Sequence, residues 1–382
     1  MAKLNLLMLN YEFPPIGGGG ANANLQLLKQ FANNDQLKVD LLTSAPKPGL
    51  NIENFAENVT IYKVGINKKD LHHWKKSEVI LWLMKARLQY KKMTTQNNYD
   101  LVHAFFGFPT GFLCLKTAKK LPYIISLRGS DVPGKNARLK LDYKILGPLF
   151  KKIWKNATAI VACSQGLKNR ALKFLPTVAI DVIANGINLE KFHPQHEKKP
   201  SKTLKLITVG RLSPTKRVDM LIDATEILHD QELNIHLAIA GGGPLEKSLK
   251  QIVKQKNLTS VIEITGRLDP EVMPHLYRQS DIFVSATLQE GMSNAMLEAA
   301  ASALPIVTTP CEGLDELIKN NGIIVQNSNA QAIADAIKKL ADDNDLYNQM
   351  SADSRKLAEN FSWQNAANQY LNLYNKLIAG GI

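Results

Sequence analysis

Residues 281–307, DIFVSATLQEGMSNAMLEAAASALPIV, decide how the rest of the chain is read. The apolar run 281–285 is short enough for a buried strand, and 305–308 is a second. Between them lie a polar loop carrying Glu290 and a helix that opens near Ser293, with Glu298 about one turn in. The first backbone N–H groups of such a helix, on Met292, Ser293, Asn294 and Ala295, have no intrahelical partner. They form the positive end of the helix dipole, which suits a phosphate or sugar hydroxyls. Two carboxylates repel a phosphate but grip hydroxyls well. A site with a phosphate-binding helix start and two carboxylates therefore points to a nucleotide sugar.

Glu290 and Glu298 within EGMSNAMLE resemble the double-glutamate motif of the retaining GT-B glycosyltransferases, family 4 (glycosyl transferases group 1). The Ala-rich helix and the LPIVTTP that follow keep the family's order. The resemblance implies an α/β protein with two Rossmann-like parallel-sheet domains facing a central cleft. It implies an N-terminal acceptor-side domain at 1–188, a nucleotide-sugar-binding domain at 189–362, and a C-terminal helix, 363–382, packing back on the first domain. It also implies transfer of a UDP- or GDP-linked sugar to a glycan or lipid-linked acceptor, in surface polysaccharide or glycolipid synthesis.

Composition is compatible with this. The chain has 382 residues and 45% hydrophobic content, enough for two ordinary cores. Cys114, Cys163 and Cys311 are far apart and show no metal spacing, as expected of buried thiols in a reducing cytoplasm. No run approaches the roughly 18 apolar residues of a membrane span. A net charge of +13 calls for an anionic partner. Two segments concentrate it, 74–93 and 137–155, the second interrupted by Pro148. They are either solvated lysine faces or a rim drawn to the inner face of an anionic membrane.

From the N-terminus, the apolar strand 4–9 is followed by YEFPPI and Gly17–Gly20, with a helix from about Ala21. Strand, glycine loop, helix is how α/β proteins bring backbone to a ligand, and a four-glycine run is costly for a mere turn. The sequence is neither GxGxxG nor a P-loop. In the family this loop faces the donor, which assigns Gly17 and Gly18 to donor binding. Strands at 38–43, 59–64, 100–105, 122–127, 157–163 and 180–184 alternate with helices, as in a mainly parallel sheet. Their C-terminal ends carry His103 and Arg128-Gly129-Ser130-Asp131. Many relatives hold a histidine at the place of Arg128, near the donor sugar. Arginine stays protonated and cannot act as a base: either the histidine's role is contact, which passes to Arg128 as donor binding, or this chain positions its donor differently. Asp131 is an acceptor-binding candidate or a turn cap. His103 is an acceptor candidate or a packed core residue.

IANGIN at 183–188 resembles the family's Pro-Asn-Gly-Val-Asp turn, and the charged run 196–202 is the expected linker. The strand 204–209 then ends in GRLSPTKR. Two cations five residues apart after a strand-end glycine suit a diphosphate. The resemblance assigns Arg211 and Lys216 to it, beside Glu290, as the catalytic set. Gly241–Gly243 and Pro244 read as a tight turn, with Pro244 at a helix start. Arg267 and Leu268 fall where relatives hold the base. Ala303 replaces a common glycine. Asp343-Asn344-Asp345 looks like a metal-binding string but lies where Asp and Asn serve as caps. No metal and no cofactor beyond the sugar nucleotide are expected, and no nucleic-acid module is visible. The competing readings are another GT-B enzyme such as a sugar-nucleotide epimerase, and a non-catalytic binder of anionic membrane or nucleic acid.

Overall fold

The computed structural model describes residues 3–71, 73–134, 140–195, 202–288 and 290–380. The chain forms two compact units, Met1–Gly186 with Trp363–Ile382, and Ile187–Ser362. The start of the basic segment at 137–139 and most of the expected linker, 196–201, lie outside the described residues.

In the first unit the elements follow as β1 (Leu4–Leu9), α1 (Gly19–Phe31), β2 (Leu37–Ala45), β3 (Gly49–Ala56), β4 (Val59–Gly65), α2 (Lys76–Gln96) and β5 (Leu101–Phe105). Then come α3 (Thr110–Cys114), β6 (Tyr123–Leu127), α4 (Lys140–Lys155), β7 (Ala159–Ala162), α5 (Gln165–Phe174) and β8 (Asp181–Val182). The sheet order is β3-β4-β2-β1-β5-β6-β7-β8. The central strands are mostly apolar and buried along nearly their whole length because helices cover both faces. All pairings are parallel except β3 with β4. The strand β3 is absent from the sequence reading. It is an edge strand with no buried residue, so burial left no apolar signature on it. The helix α4 runs through Pro148, correcting the expected interruption. Phe150, Ile153 and Trp154 just beyond it are buried, and that packing holds the helix despite the lost backbone donor.

The second unit runs β9 (Leu204–Val209), α6 (Val218–Asp230), β10 (Ile235–Ala240), α7 (Glu246–Gln255), β11 (Ile262–Gly266), α8 (Met273–Gln279) and β12 (Ile282–Ser285). It continues with α9 (Asn294–Ala301), β13 (Ile306–Thr308), β14 (Gly322–Ile324), α10 (Ala330–Asp342) and α11 (Asn344–Ala358). Its sheet, β11-β10-β9-β12-β13-β14, is parallel throughout. Counted within the unit, that order is the doubly wound one, whose switch point lies between the first and fourth strands. Here those are β9 and β12. The first unit repeats the pattern, with its switch point between β1 and β5. The last helix, α12 (Trp363–Ala379), packs on α1, burying Trp363, Tyr370 and Tyr374 in the first unit's core.

One expectation changes in detail and another holds. Pro244 sits in the turn before α7, which starts two residues later. Asp343 caps α11, its carboxylate accepting from Leu346 N at 2.9 Å.

Candidate functional site

The loops leaving β9, β10 and β11 are stitched together at the strands' C-terminal ends. Gly210 N donates to Ala240 O at 3.0 Å, Leu212 N to Gly242 O at 3.0 Å, and Gly241 N to Gly266 O at 2.8 Å. The glycines of the 241–243 turn are there because backbone meets backbone. A Cβ at Gly241 would fall 1.8 Å from Gly210 O, and one at Gly243 would fall 2.4 Å from Leu212 O.

Beyond Leu212 the chain makes a short 3-10 turn, Pro214–Lys216, and Arg217 takes a left-handed conformation (φ 47°) to enter α6. The carbonyl of Thr215 accepts from Leu288 N at 2.9 Å and from Thr287 Oγ1 at 3.3 Å. Those bonds tie the loop after β9 to the loop after β12, the two loops of the switch point. They bring Lys216 to Glu290, where Nζ donates to Oε1 in an ion pair. The side chains are 26% and 16% exposed, so the pair is half-buried and reachable. Arg211 and Lys216 line one hollow together with Gly210, Ser285 and Ser293.

Ser293 is the N-cap of α9, its hydroxyl accepting from Met296 N at 3.3 Å. Met292 is buried and Asn294 and Ala295 are half-buried at the helix start. Glu298, one turn on, is outside the hollow's lining. Its Oε2 accepts from Tyr277 Oη at 2.9 Å, while the same hydroxyl lies 3.2 Å from Ala295 O. Burial raises the Glu298 carboxyl to about 7, with the tyrosine hydrogen bond and the Lys191 charge pulling the other way. Arg267 is exposed and Leu268 half-buried just past β11.

Three contributors were not read from the sequence. Tyr277 holds Glu298 from α8, Thr215 sets the Lys216 turn, and Gly313 lets the loop after β13 reach Gly291. A Cβ at Gly313 would sit 2.6 Å from Gly291 O, and its φ is 76°. Only the glycine carried a signal, because tyrosine and threonine are common in loops and helices of any function.

The sequence candidates of the first unit fare differently. His103 is fully buried. One ring nitrogen bonds Tyr374 Oη at 2.6 Å and the other Ser126 Oγ at 2.7 Å. It cannot reach an acceptor, and the core reading replaces that candidacy. Burial, with the Arg128 charge adding to it, holds its pKa far below the ordinary histidine range, so the ring is neutral. Asp131 is also buried, and its carboxylate accepts from Gly107 N at 2.8 Å, Arg128 N at 2.9 Å and Gly129 N at 3.0 Å. It is the turn cap; acceptor hydroxyls would have to displace backbone. Arg128 is half-buried, donating to Asn185 Oδ1 at 2.9 Å and Tyr370 Oη at 3.4 Å over the Phe105 ring. Gly17 (φ 103°) and Gly18 precede α1 at this unit's switch point. Part of the glycine run answers to packing, since a Cβ at Gly20 would fall 2.6 Å from the Phe106 ring.

Among the described residues, no three His, Cys, Asp or Glu gather as a metal set. No helix there is long and apolar enough to cross a membrane.

Residues 190–357 match the family model described as Glycosyl transferases group 1, and residues 17–191 match that of Glycosyltransferase Family 4. The chain is a glycosyltransferase by family. An uncharacterised glycosyltransferase of Methanocaldococcus jannaschii is 27% identical over 381 residues, 99% of each chain. A putative teichuronic acid biosynthesis glycosyltransferase of Bacillus subtilis is 27% identical, over 70% of this chain and 66% of that one. In fold, the chain resembles sucrose-phosphate synthase from Thermosynechococcus elongatus (TM-score 0.85, 19% identity, 99% and 100% of the two chains). It also resembles Anabaena HepE, solved with UDP and glucose (TM-score 0.71, 16% identity, 98% and 100%). These structures share the GT-B fold with it. The glycosyltransferase therefore has two parallel-sheet α/β units, both matched by glycosyltransferase models.

Proposed function

We propose that this glycosyltransferase moves a sugar from a UDP- or GDP-linked donor to a glycan or lipid-linked acceptor, with retention at the anomeric carbon, in surface polysaccharide or glycolipid synthesis. The observation that carries the reading is the Lys216–Glu290 pair beside Arg211 and the capped start of α9, at the switch point of the second unit. The relative in teichuronic acid synthesis and the fold neighbour bound to UDP support the substrate classes.

Breaking the sugar–phosphate bond puts negative charge on the leaving diphosphate and positive charge on the sugar. Arg211, Lys216 and the N–H groups at the start of α9 stabilise the first. Glu290, oriented by Lys216, holds sugar hydroxyls and faces the second. Glu298, steadied by Tyr277, takes ribose hydroxyls. The acceptor oxygen bonds the anomeric carbon on the face the diphosphate leaves, and the acceptor's proton passes to that diphosphate.

Calorimetry against UDP, GDP and ADP, and against their sugars, tests this. One nucleotide class binds, and Arg211→Ala and Lys216→Ala each weaken it about tenfold or more, the size of a lost charged hydrogen bond. Unchanged affinity in both variants would sink the assignment.

A further inference from the structure

At the start of β1 and β2, the end of the first sheet away from its switch point, lies a hollow of about 420 Å³. That is the size of a small-ligand pocket. Five carboxamides line it: Asn34 and Gln36 from the turn after α1, and Asn368, Asn372 and Asn375 from α12. The three other lining residues are leucines, and none of the lining residues is charged.

Both walls are particular to this place. On α12, Asn368, Leu371, Asn372 and Asn375 follow at i, i+3, i+4 and i+7, so they share one face. The opposite face carries Trp363, Tyr370 and Tyr374 into the core. A solvated helix face is ordinarily written in Lys and Glu, which are good helix formers, and asparagine is a poor one. Yet α12 holds four asparagines, two glutamines and a single charged residue, Lys376, in a chain that is 21% charged. The facing wall is a turn held rigidly from behind. Buried Asn58 brings Nδ2 to 2.8 Å from Phe31 O, 3.1 Å from Asn34 O and 2.9 Å from Leu37 O, and its Oδ1 accepts from Asn33 N at 2.9 Å. Gln36 O accepts from Leu4 N at 2.9 Å, which fastens the turn to β1. A site held in shape this way loses little freedom on binding.

We propose that this hollow is a glycan-binding site that shares no residue with the site of transfer and takes neutral sugar units of the acceptor or product chain. It rests on the reading of that chain as a glycan. Each carboxamide presents a donor and an acceptor together, as a hydroxyl does, and neighbouring carboxamides match neighbouring hydroxyls of a sugar ring. The leucines meet the ring's C–H faces. From Asn368 to Asn375 the helix rises about 10 Å, more than the length of one ring. A phosphate or a uronic acid would call for a cation in the lining. An extended peptide would call for an open sheet edge or side-chain pockets, and β1 and β2 are interior strands.

A printed array of neutral and acidic glycans, read in about 0.5 M salt to screen the charge of the chain, tests the site. The wild-type protein retains neutral glycans and leaves acidic ones unbound. Asn372→Ala with Asn375→Ala lowers affinity for the retained glycan by about fivefold per amide, and Gln36→Ala on the facing wall lowers it by about as much as one of them. Alanine is the better helix former, so the paired variant melts no lower than wild type. Affinity for UDP or GDP is unchanged in every variant, which separates failure here from failure of the transferase reading. Retention of no neutral glycan, equal retention of acidic ones, or wild-type glycan affinity in the paired variant would overturn the proposal.

Discussion

Each unit gathers polar side chains near its switch point, and the two gatherings have opposite characters. In the first, His103, Ser126, Tyr370 and Tyr374 bond one another beneath Arg128, all four fully or almost fully buried. In the second, Lys216 and Glu290 pair where solvent reaches them, beside exposed Arg211. The helix α12 makes the difference: it brings Tyr370 and Tyr374 over the strands of the first sheet. A polar group sealed in this way acts on stability, because leaving it unpaired costs the full desolvation of its partners. A polar group left open is available to a ligand.

The largest effect expected of this contrast is on stability. His103→Ala strips Ser126 and Tyr374 of their partner and leaves a cavity, costing about 3 kcal/mol or more. Urea unfolding measures it, while nucleotide affinity under native conditions stays at the wild-type value. A loss of nucleotide affinity in the folded variant would break the division between the two gatherings.

Glu298 sharpens the comparison, since it lies half-buried in the second unit with the Tyr277 hydroxyl as its partner. Its carboxyl is raised to about 7. Between pH ~4.5 and ~7 the native protein keeps a proton that the unfolded chain has released. Stability therefore falls as pH rises across that window, by roughly 3 kcal/mol at most. Urea midpoints taken from pH 5 to pH 8 should fall more steeply for wild type than for Glu298→Gln. Identical slopes would mean that Glu298 ionises as an ordinary surface carboxylate.

The smallest effect concerns Ala303, which ends α9 in a left-handed conformation (φ 58°). That conformation favours the glycine the family resemblance expects there, because a Cβ costs about 1 kcal/mol in that region. Ala303→Gly should raise the melting temperature by a few degrees, with nucleotide affinity unchanged.

The sequence fell short in specific ways. The strands of both sheets were legible because burial on two faces leaves continuous apolar runs, whereas edge strand β3 left none. The sequence also placed Ser293 at a helix start, since a cap needs only local geometry. His103 looked available because a strand-end position is visible in sequence and a covering helix more than two hundred residues away is not; Asp131 is closed off locally, by the backbone of Gly107, Arg128 and Gly129, as its turn-cap reading expected. Tyr277 was invisible as the partner of Glu298 because the two sit on different helices, and their meeting depends on how α8 packs on α9.

By itself the sequence determined the alternation of strands and helices, the glycines where backbone crosses backbone, and the charge types near each strand end. These follow from local periodicity and side-chain chemistry. Tertiary structure alone decided which of those charges meet and which are sealed. Lys216 and Glu290, 74 residues apart, pair because the Thr215 carbonyl receives Leu288, and His103 is closed off because α12 packs back on the first unit. Contacts between distant segments depend on the packing of whole elements, and no local stretch of sequence encodes that.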